Sequence, residues 1–266
     1  MPKFFADPEN ITAGRAVLTG VDAAHIARVL RGGPGDVYII GDGRGRDYEC
    51  EITGIEKNKD SVAFAILREL PADYEPAVRI TLYQALPKLD KMDSIIQKCV
   101  ELGVARIVPV ISENTVVRTG GGAKQKRDRW RKIAEAAAKQ SMRGIIPEVA
   151  EIVPLKEAVA GGAFPVKGFD DGEGAASRER PGQREELRFA PYEGEKTTTI
   201  KSLLRRDACA YNGAGFFIGP EGGFSEGEIR LFRENGIGTV TLGPRILRTE
   251  TAGAAVLAML LYEWEL

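Results

Sequence analysis

Up to about residue 72 the chain alternates apolar and polar positions in short runs, among them Asp36-Val37-Tyr38-Ile39-Ile40 and Tyr48-Glu49-Cys50-Glu51-Ile52. Glycine and aspartate punctuate these runs at Gly32-Gly33-Pro34-Gly35-Asp36 and Gly41-Asp42-Gly43-Arg44-Gly45. A period of two with turn residues in between is the pattern of half-buried strands, so this stretch predicts a small antiparallel β-barrel. One short helix, from Ala23 to Leu30 with Asp22 as its cap, interrupts it. Pro71-Ala72-Asp73-Tyr74-Glu75-Pro76 carries two prolines and no period, which predicts a linker between a first domain of residues 1–72 and a second of 76–266.

From Val78 onward strands alternate with longer helices, the pattern of an α/β domain with a mostly parallel sheet. Strands are expected at Arg79 to Ala85, Arg106 to Ile111, Pro165 to Phe169, Gly215 to Ile218 and Thr239 to Leu242. Between the first two, Met92, Ile95, Ile96, Cys99 and Val100 mark one apolar face of a helix that Gly103 closes. A second helix runs from about Gln125 to Met142, with Trp130, Ile133, Ala134, Ala137 and Ala138 on one side and basic residues on the other. Ser225-Glu226-Gly227-Glu228 has the form of a capping box opening a third helix, and Thr249 or Thr251 can cap the last. Residues 171 to 196 are rich in Gly, Glu and Arg and poor in aliphatics, which predicts a flexible insertion.

Composition narrows the classes. The 37 Lys and Arg nearly cancel the 38 Asp and Glu, so a nucleic-acid partner must be met by a local patch rather than by net charge. Such a patch lies between Arg118 and Arg143, where Lys124, Lys126, Arg127, Arg129, Arg131, Lys132 and Lys139 face only Asp128 and Glu135; a solvated helix face is the plainer alternative. Cys50, Cys99 and Cys209 are widely spaced and offer no metal-binding pair, so no metal is expected and reduced thiols in a cytoplasmic protein are. No secretory signal opens the chain, and the apolar run Ala252 to Tyr262 is well short of the ~20 residues that span a bilayer, so no membrane partner is expected.

Two loops carry the candidate chemistry. Phe216-Phe217-Ile218 runs into Gly219-Pro220-Glu221-Gly222-Gly223, a glycine-rich loop that lets backbone groups approach a ligand with no Cβ in the way. Leu242-Gly243-Pro244-Arg245-Ile246-Leu247-Arg248-Thr249-Glu250-Thr251 is again a strand end, a Gly-Pro break and a helix start, at the same sheet edge if both strands are parallel. An ordinary turn for the first and a surface ion pair of Arg248 with Glu250 for the second are the plain structural alternatives. Phosphate-loop and dinucleotide fingerprints are missing, which argues against ATPases and dehydrogenases. The single histidine, His25, speaks against a serine triad.

Together these two loops resemble those of the bacterial 16S ribosomal RNA uracil N3-methyltransferases of the SPOUT superfamily. Further matches are Leu86-Pro87-Lys88, Lys91-Met92, Gln97-Lys98, Glu101-Leu102-Gly103-Val104, Ser112-Glu113, Gln140-Ser141, Arg143 and Ile146-Pro147, with His25, Val29-Leu30-Arg31 and Gly35-Asp36 in the first domain. The resemblance implies a PUA-like RNA-binding barrel and an α/β domain whose C-terminal segment forms a trefoil knot. It also implies a homodimer and S-adenosylmethionine held by Ile218, Gly219, Pro220, Glu221, Gly222, Gly223, Leu242, Gly243, Ile246, Leu247, Arg248 and Thr249. The substrate implied is one uridine of 16S rRNA in the small ribosomal subunit.

Methylation at uracil N3 needs a proton removed and a negative charge answered. Arg248 is the candidate cation, and Glu250 or Glu221 the candidate group that orients the base or accepts the proton. RNA contacts are expected from Arg28, Arg31, Arg127, Arg131, Lys132, Arg143 and Arg245. Ribose 2′-O methylation and a non-enzymatic RNA-binding assembly factor are the competing functions. From Asp171 to Lys196 the charged stretch departs from the family, and no site residue is assigned there.

Overall fold

The computed structural model describes all residues except 57, 59, 72–73, 117–121, 162–185, 207–210, 212 and 266. The strand expected at Pro165 to Phe169, residues 171–185, Arg118 and Cys209 therefore lie outside the described residues. The chain divides into two compact units: Met1–Glu75 with Ala138–Ile146, and Pro76–Ala137 with Pro147–Leu266.

The first unit is a six-stranded sheet built from β1 (Lys3–Phe5), β2 (Ile11–Thr12), β3 (Arg15–Thr19), β4 (Val37–Gly41), β5 (Asp47–Ile55) and β6 (Ser61–Leu70), in the order β1-β4-β5-β6-β3-β2. The alternation seen in the sequence sends Tyr38, Ile40, Cys50, Ile52, Val62 and Phe64 to the core. Pairing is antiparallel except between β1 and β4, which run parallel. The expected short helix begins earlier than Asp22: α1 (Gly20–Ala24) starts after Thr19, and it continues as a π-helical turn over His25–Val29. There the Leu30 N–H donates to the His25 carbonyl, five residues back.

The segment Ala138–Ile146 was expected in the second domain, and backbone pairing explains why it clusters with the first. Gly45 N–H donates to Gly144 O, and Ile146 N–H to Gly43 O. Lys3, fully buried, donates to Asp47 and to the Arg143 carbonyl. Burial pushes the Asp47 carboxyl above its ordinary range although Lys3 pulls it the other way.

The second unit is a wholly parallel sheet: β7 (Arg79–Ala85), β8 (Arg106–Ile111), β9 (Glu148–Val149), β10 (Val153–Pro154), β11 (Leu187–Pro191), β12 (Gly213–Ile218) and β13 (Gly238–Val240). The path runs β10-β8-β7-β12-β11-β13, with β9 also on β8. The connecting helices are α2 (Lys91–Glu101), α3 (Ala123–Gln140), α4 (Leu155–Ala160), α5 (Ile200–Arg206), α6 (Glu226–Glu234) and α7 (Thr249–Trp264). Helix α2 buries the five residues its spacing marks, Met92, Ile95, Ile96, Cys99 and Val100. On the sheet, Tyr83 stacks on Phe217 with centroids 4.3 Å apart, and Phe232 of α6 packs against both Phe217 and Phe224. These aromatics fix α6 behind the glycine loop that precedes it.

Strand β11 corrects the expectation of a flexible insertion through residue 196. Its residues Leu187, Phe189 and Ala190 are buried between β12 and β13, and the strand is ordered by that pairing although Arg188 and its charged neighbours hide it in the sequence. Parallel pairing of β11, β12 and β13 brings the loops after all three to one sheet edge.

Candidate functional site

At that edge, β12 ends at Ile218 and the chain turns through Gly219 to Phe224 into α6. Ser225 caps α6 with a complete capping box: its hydroxyl accepts from Glu228 N–H, and the Glu228 carboxylate accepts from Ser225 N–H. The other Glu228 oxygen accepts from Glu113 N–H, and the Asn114 amide donates to the carbonyls of Gly222 and Gly223 at 3.0 and 3.1 Å. On another side Thr249 donates to Gly219 O at 2.8 Å and accepts from fully buried Gln84 at 3.0 Å. The glycine loop is thus fastened before any ligand arrives, which lowers the entropic cost of binding.

The loops after β11, β12 and β13 enclose a cavity of about 510 Å³, within the range of small-ligand sites. Ile218, Gly219, Pro220, Gly223, Leu242, Gly243, Ile246, Leu247 and Thr249 line it, together with Arg245. Gly223 has φ +65°, a conformation that favours glycine, and both Glu193 oxygens lie 3.5 Å from where its Cβ would stand.

Glu221, Gly222 and Arg248 are not among the lining residues. A Cβ on Gly222 would meet Asn114 at 3.2 Å, so that glycine accommodates the neighbouring loop rather than the cavity. Glu221 accepts from Lys88 N–H and from Lys91, whose ammonium also reaches Glu250 at 3.4 Å. Burial raises the Glu221 carboxyl, but the Lys91 and backbone donors outweigh it and hold the group below its usual range. For Glu250 its own backbone N–H acts first, then Lys91, and the result is also a lowered pKa. The Arg248 side chain is 84% exposed and stands 4.0 Å from Glu250. Arg248 is itself the cap position of α7; neither Thr249, whose hydroxyl is turned to Gly219, nor Thr251 fills it.

The basic residues divide. Arg143 is 3% exposed and grips Glu75 through two nitrogens, a buried pair with no side-chain donor turned to solvent for phosphate. Arg127 pairs with Glu151, and the Arg131 Nε donates to Val149 O. Lys132 is exposed, as are Arg28, which meets Asp60 and the Asn58 carbonyl, and Arg31, whose φ is +56°. Among the described residues, no group of three or more His, Cys, Asp or Glu is placed to hold a metal ion, and no helix is long and apolar enough to cross a membrane.

The sequence reading missed the third wall, Pro191 to Lys196. Tyr192 N–H donates to Val240 O, and Glu195 N–H closes a turn on Tyr192 O. Glu195 accepts from the Thr197 hydroxyl and from Thr197 and Thr198 N–H with one oxygen, and from Thr239 with the other. The Thr197 hydroxyl first and these backbone donors next pull its carboxyl down to about 2. The only signal for this wall was Leu187, Phe189 and Ala190 immediately before it, interrupted by Arg188.

A parallel α/β unit with a ligand cavity at its carboxyl edge, joined to a small β unit, defines a class, and comparison with known proteins names it. Residues 74–261 match the family described as RNA methyltransferase domain and residues 18–63 the RNA methyltransferase PUA domain, so the chain belongs to the RNA methyltransferase family with a PUA-like N-terminal domain. It is similar to the ribosomal RNA small subunit methyltransferase E of Bacillus subtilis, 32% identical over 253 residues, which cover 94% of this chain and 90% of that one. The corresponding protein of Aquifex aeolicus is 31% identical over 82% of each chain. Among solved structures, ribosomal RNA small subunit methyltransferase E from Neisseria gonorrhoeae bound to S-adenosyl methionine is 32% identical, with a TM-score of 0.81 over 99% of this chain and 98% of that one. A methyltransferase of Legionella pneumophila in complex with the same cofactor is 28% identical, with a TM-score of 0.79 over 98% and 97%.

Proposed function

We propose that this protein transfers a methyl group from S-adenosylmethionine to N3 of one uridine in 16S rRNA of the small ribosomal subunit. The observation that carries the proposal is the cavity of about 510 Å³ at the carboxyl edge of the parallel sheet, walled by the loops after β11, β12 and β13. It suits the cofactor in size and chemistry, with apolar Ile218, Leu242 and Leu247 for flat surface and exposed loop backbone for polar groups. Two solved relatives that cover nearly the whole chain are described as bound to that cofactor. Ile218 to Gly223 and Leu242 to Thr249 would hold it, and the trefoil threading implied for this family would bring both segments around one ligand. When bound, the cofactor supplies an electrophilic methyl group.

The protein's own residues must answer the charge that N3 acquires on losing its proton. Arg248, an exposed guanidinium at the start of α7, is suited to that role. Glu221 and Glu250, each paired with Lys91 and each with a lowered pKa, are weak proton acceptors at neutral pH. Their role in this account is to position Lys91 and the two loop ends, so that proton transfer falls to solvent or to the RNA. Lys132, Arg28, Arg31 and Arg245 supply exposed charge for the RNA backbone.

A homodimer in the cytoplasm completes the reading. Helix α7 leaves Thr251, Ala258, Met259 and Tyr262 exposed along one stripe, a surface of the kind that a second copy covers. Mass spectrometry of nucleosides from small subunits incubated with protein and cofactor tests the reaction. The expected product is 3-methyluridine; a ribose-methylated nucleoside, or no methylated nucleoside, overturns it.

A further inference from the structure

The third wall of the cavity carries one acidic side chain with no described partner. Glu195 commits both oxygens to Thr197, Thr198 and Thr239, and so anchors the loop to β13. Tyr192 is tied to Val240, the turn closes on Glu195 N–H, and Lys196 donates to the Glu193 carbonyl. A Cβ on Gly194 would stand 2.4 Å from the Tyr192 ring, so any side chain there would displace that ring. A turn held at both ends and along its length fixes where the backbone of Glu193 stands at the cavity wall. From there its side chain reaches the glycine loop, with both carboxylate oxygens 3.5 Å from the Cβ position of Gly223.

The described ion pairs and hydrogen bonds leave the Glu193 carboxylate free, whereas Glu221 and Glu250, outside the lining, share the one Lys91 ammonium. The lining thus holds two carboxylates, Glu195 tied to hydroxyl and amide donors and Glu193 without a described ion pair, together with the cations Lys196 and Arg245. Glu193 is the one that stands beside Gly223, a glycine whose missing side chain lets a ligand come close. The cofactor enters as a sulfonium cation and leaves, once the methyl is gone, with a neutral thioether. A carboxylate at this wall favours the first over the second, which is specificity by charge.

We propose that Glu193 makes the pocket prefer S-adenosylmethionine over its product S-adenosylhomocysteine. The inference rests on the cofactor reading above. Its role is selective rather than merely adhesive: the ammonium and the ribose hydroxyls are common to both molecules, so a carboxylate serving those groups would hold both equally. A pocket that weakens its hold when the charge disappears also releases product for the next turnover.

Calorimetric titration of the full chain and its Glu193→Gln variant tests this with three ligands: S-adenosylmethionine, S-adenosylhomocysteine and sinefungin, which carries a protonated amine where the cofactor carries its sulfonium. Glutamine keeps the size of the side chain and one acceptor oxygen and removes its charge. The expected result is that Glu193→Gln weakens S-adenosylmethionine and sinefungin by about 3- to 10-fold, the range of one partly screened charge interaction. Binding of S-adenosylhomocysteine should stay within about 2-fold, at the low end of that range. Equal weakening of all three ligands assigns Glu193 to a shared group and overturns the proposal, as does no weakening of any. Failure of the unmutated protein to bind any of the three is a different result, and it removes the cofactor reading itself together with this inference.

Discussion

Single side chains at this site divide between those that build and those that are left free to act. Thr249 belongs to the first kind: its hydroxyl donates to Gly219 and accepts from buried Gln84, joining the start of α7 to the glycine loop and to β7. Asn114 and Glu228 do the same from the β8 side. Arg248 belongs to the second, since its side chain is 84% exposed and its ion pair with Glu250 spans 4.0 Å. Exposed pairs at that distance contribute almost nothing to stability. The Arg248→Ala protein is therefore expected to unfold at the same denaturant concentration as the unmutated chain and to bind RNA with similar affinity. Its single-turnover methylation of saturating subunits should fall by the equivalent of about 2.7 to 4 kcal/mol, the loss seen when one preorganised charge-stabilising donor is removed. A normal single-turnover rate takes Arg248 off the list of catalytic residues.

At the scale of elements, legibility followed the range of the forces involved. Helix α2 was readable because its five buried residues obey one local period, and α6 because the Ser225 to Glu228 capping box is a four-residue pattern. Strand β11 was not, because five residues beside a charged stretch acquire their order from β12 and β13, a pairing no local pattern announces. Short α4 and α5 escaped for the same reason. The two loops named from sequence supply two walls of the cavity, and the third, Pro191 to Lys196, came with β11. Within it, the Glu195 carboxyl shifts from its ordinary 4.5 to about 2. A lowered pKa means stability that is fully present above 4.5 and is lost as pH falls toward 2. The Glu195→Gln protein should thus be less stable than the unmutated chain at neutral pH, with the difference shrinking across that acid window. Thermal unfolding followed at pH 7, 4 and 3 reads it, and a constant difference at all three contradicts the assignment.

For the molecule as a whole, the near-balance of 37 basic and 38 acidic residues concentrates function in places rather than in net charge. The first unit and the exposed basic residues are suited to RNA, and the carboxyl edge of the second unit's sheet is suited to a small ligand. The central claim is that this edge holds S-adenosylmethionine, and Gly223 is the residue through which to test it, because it lines the cavity and its φ of +65° disfavours a branched side chain there. Gly236→Ala provides the control: it carries a similar φ of +71° at the end of α6, faces open space and does not line the cavity. The decisive measurement is calorimetric titration of S-adenosylmethionine into the unmutated protein, Gly223→Val and Gly236→Ala. The account predicts one site per chain in the first and third and no measurable binding in the second; equal affinity in all three would contradict it.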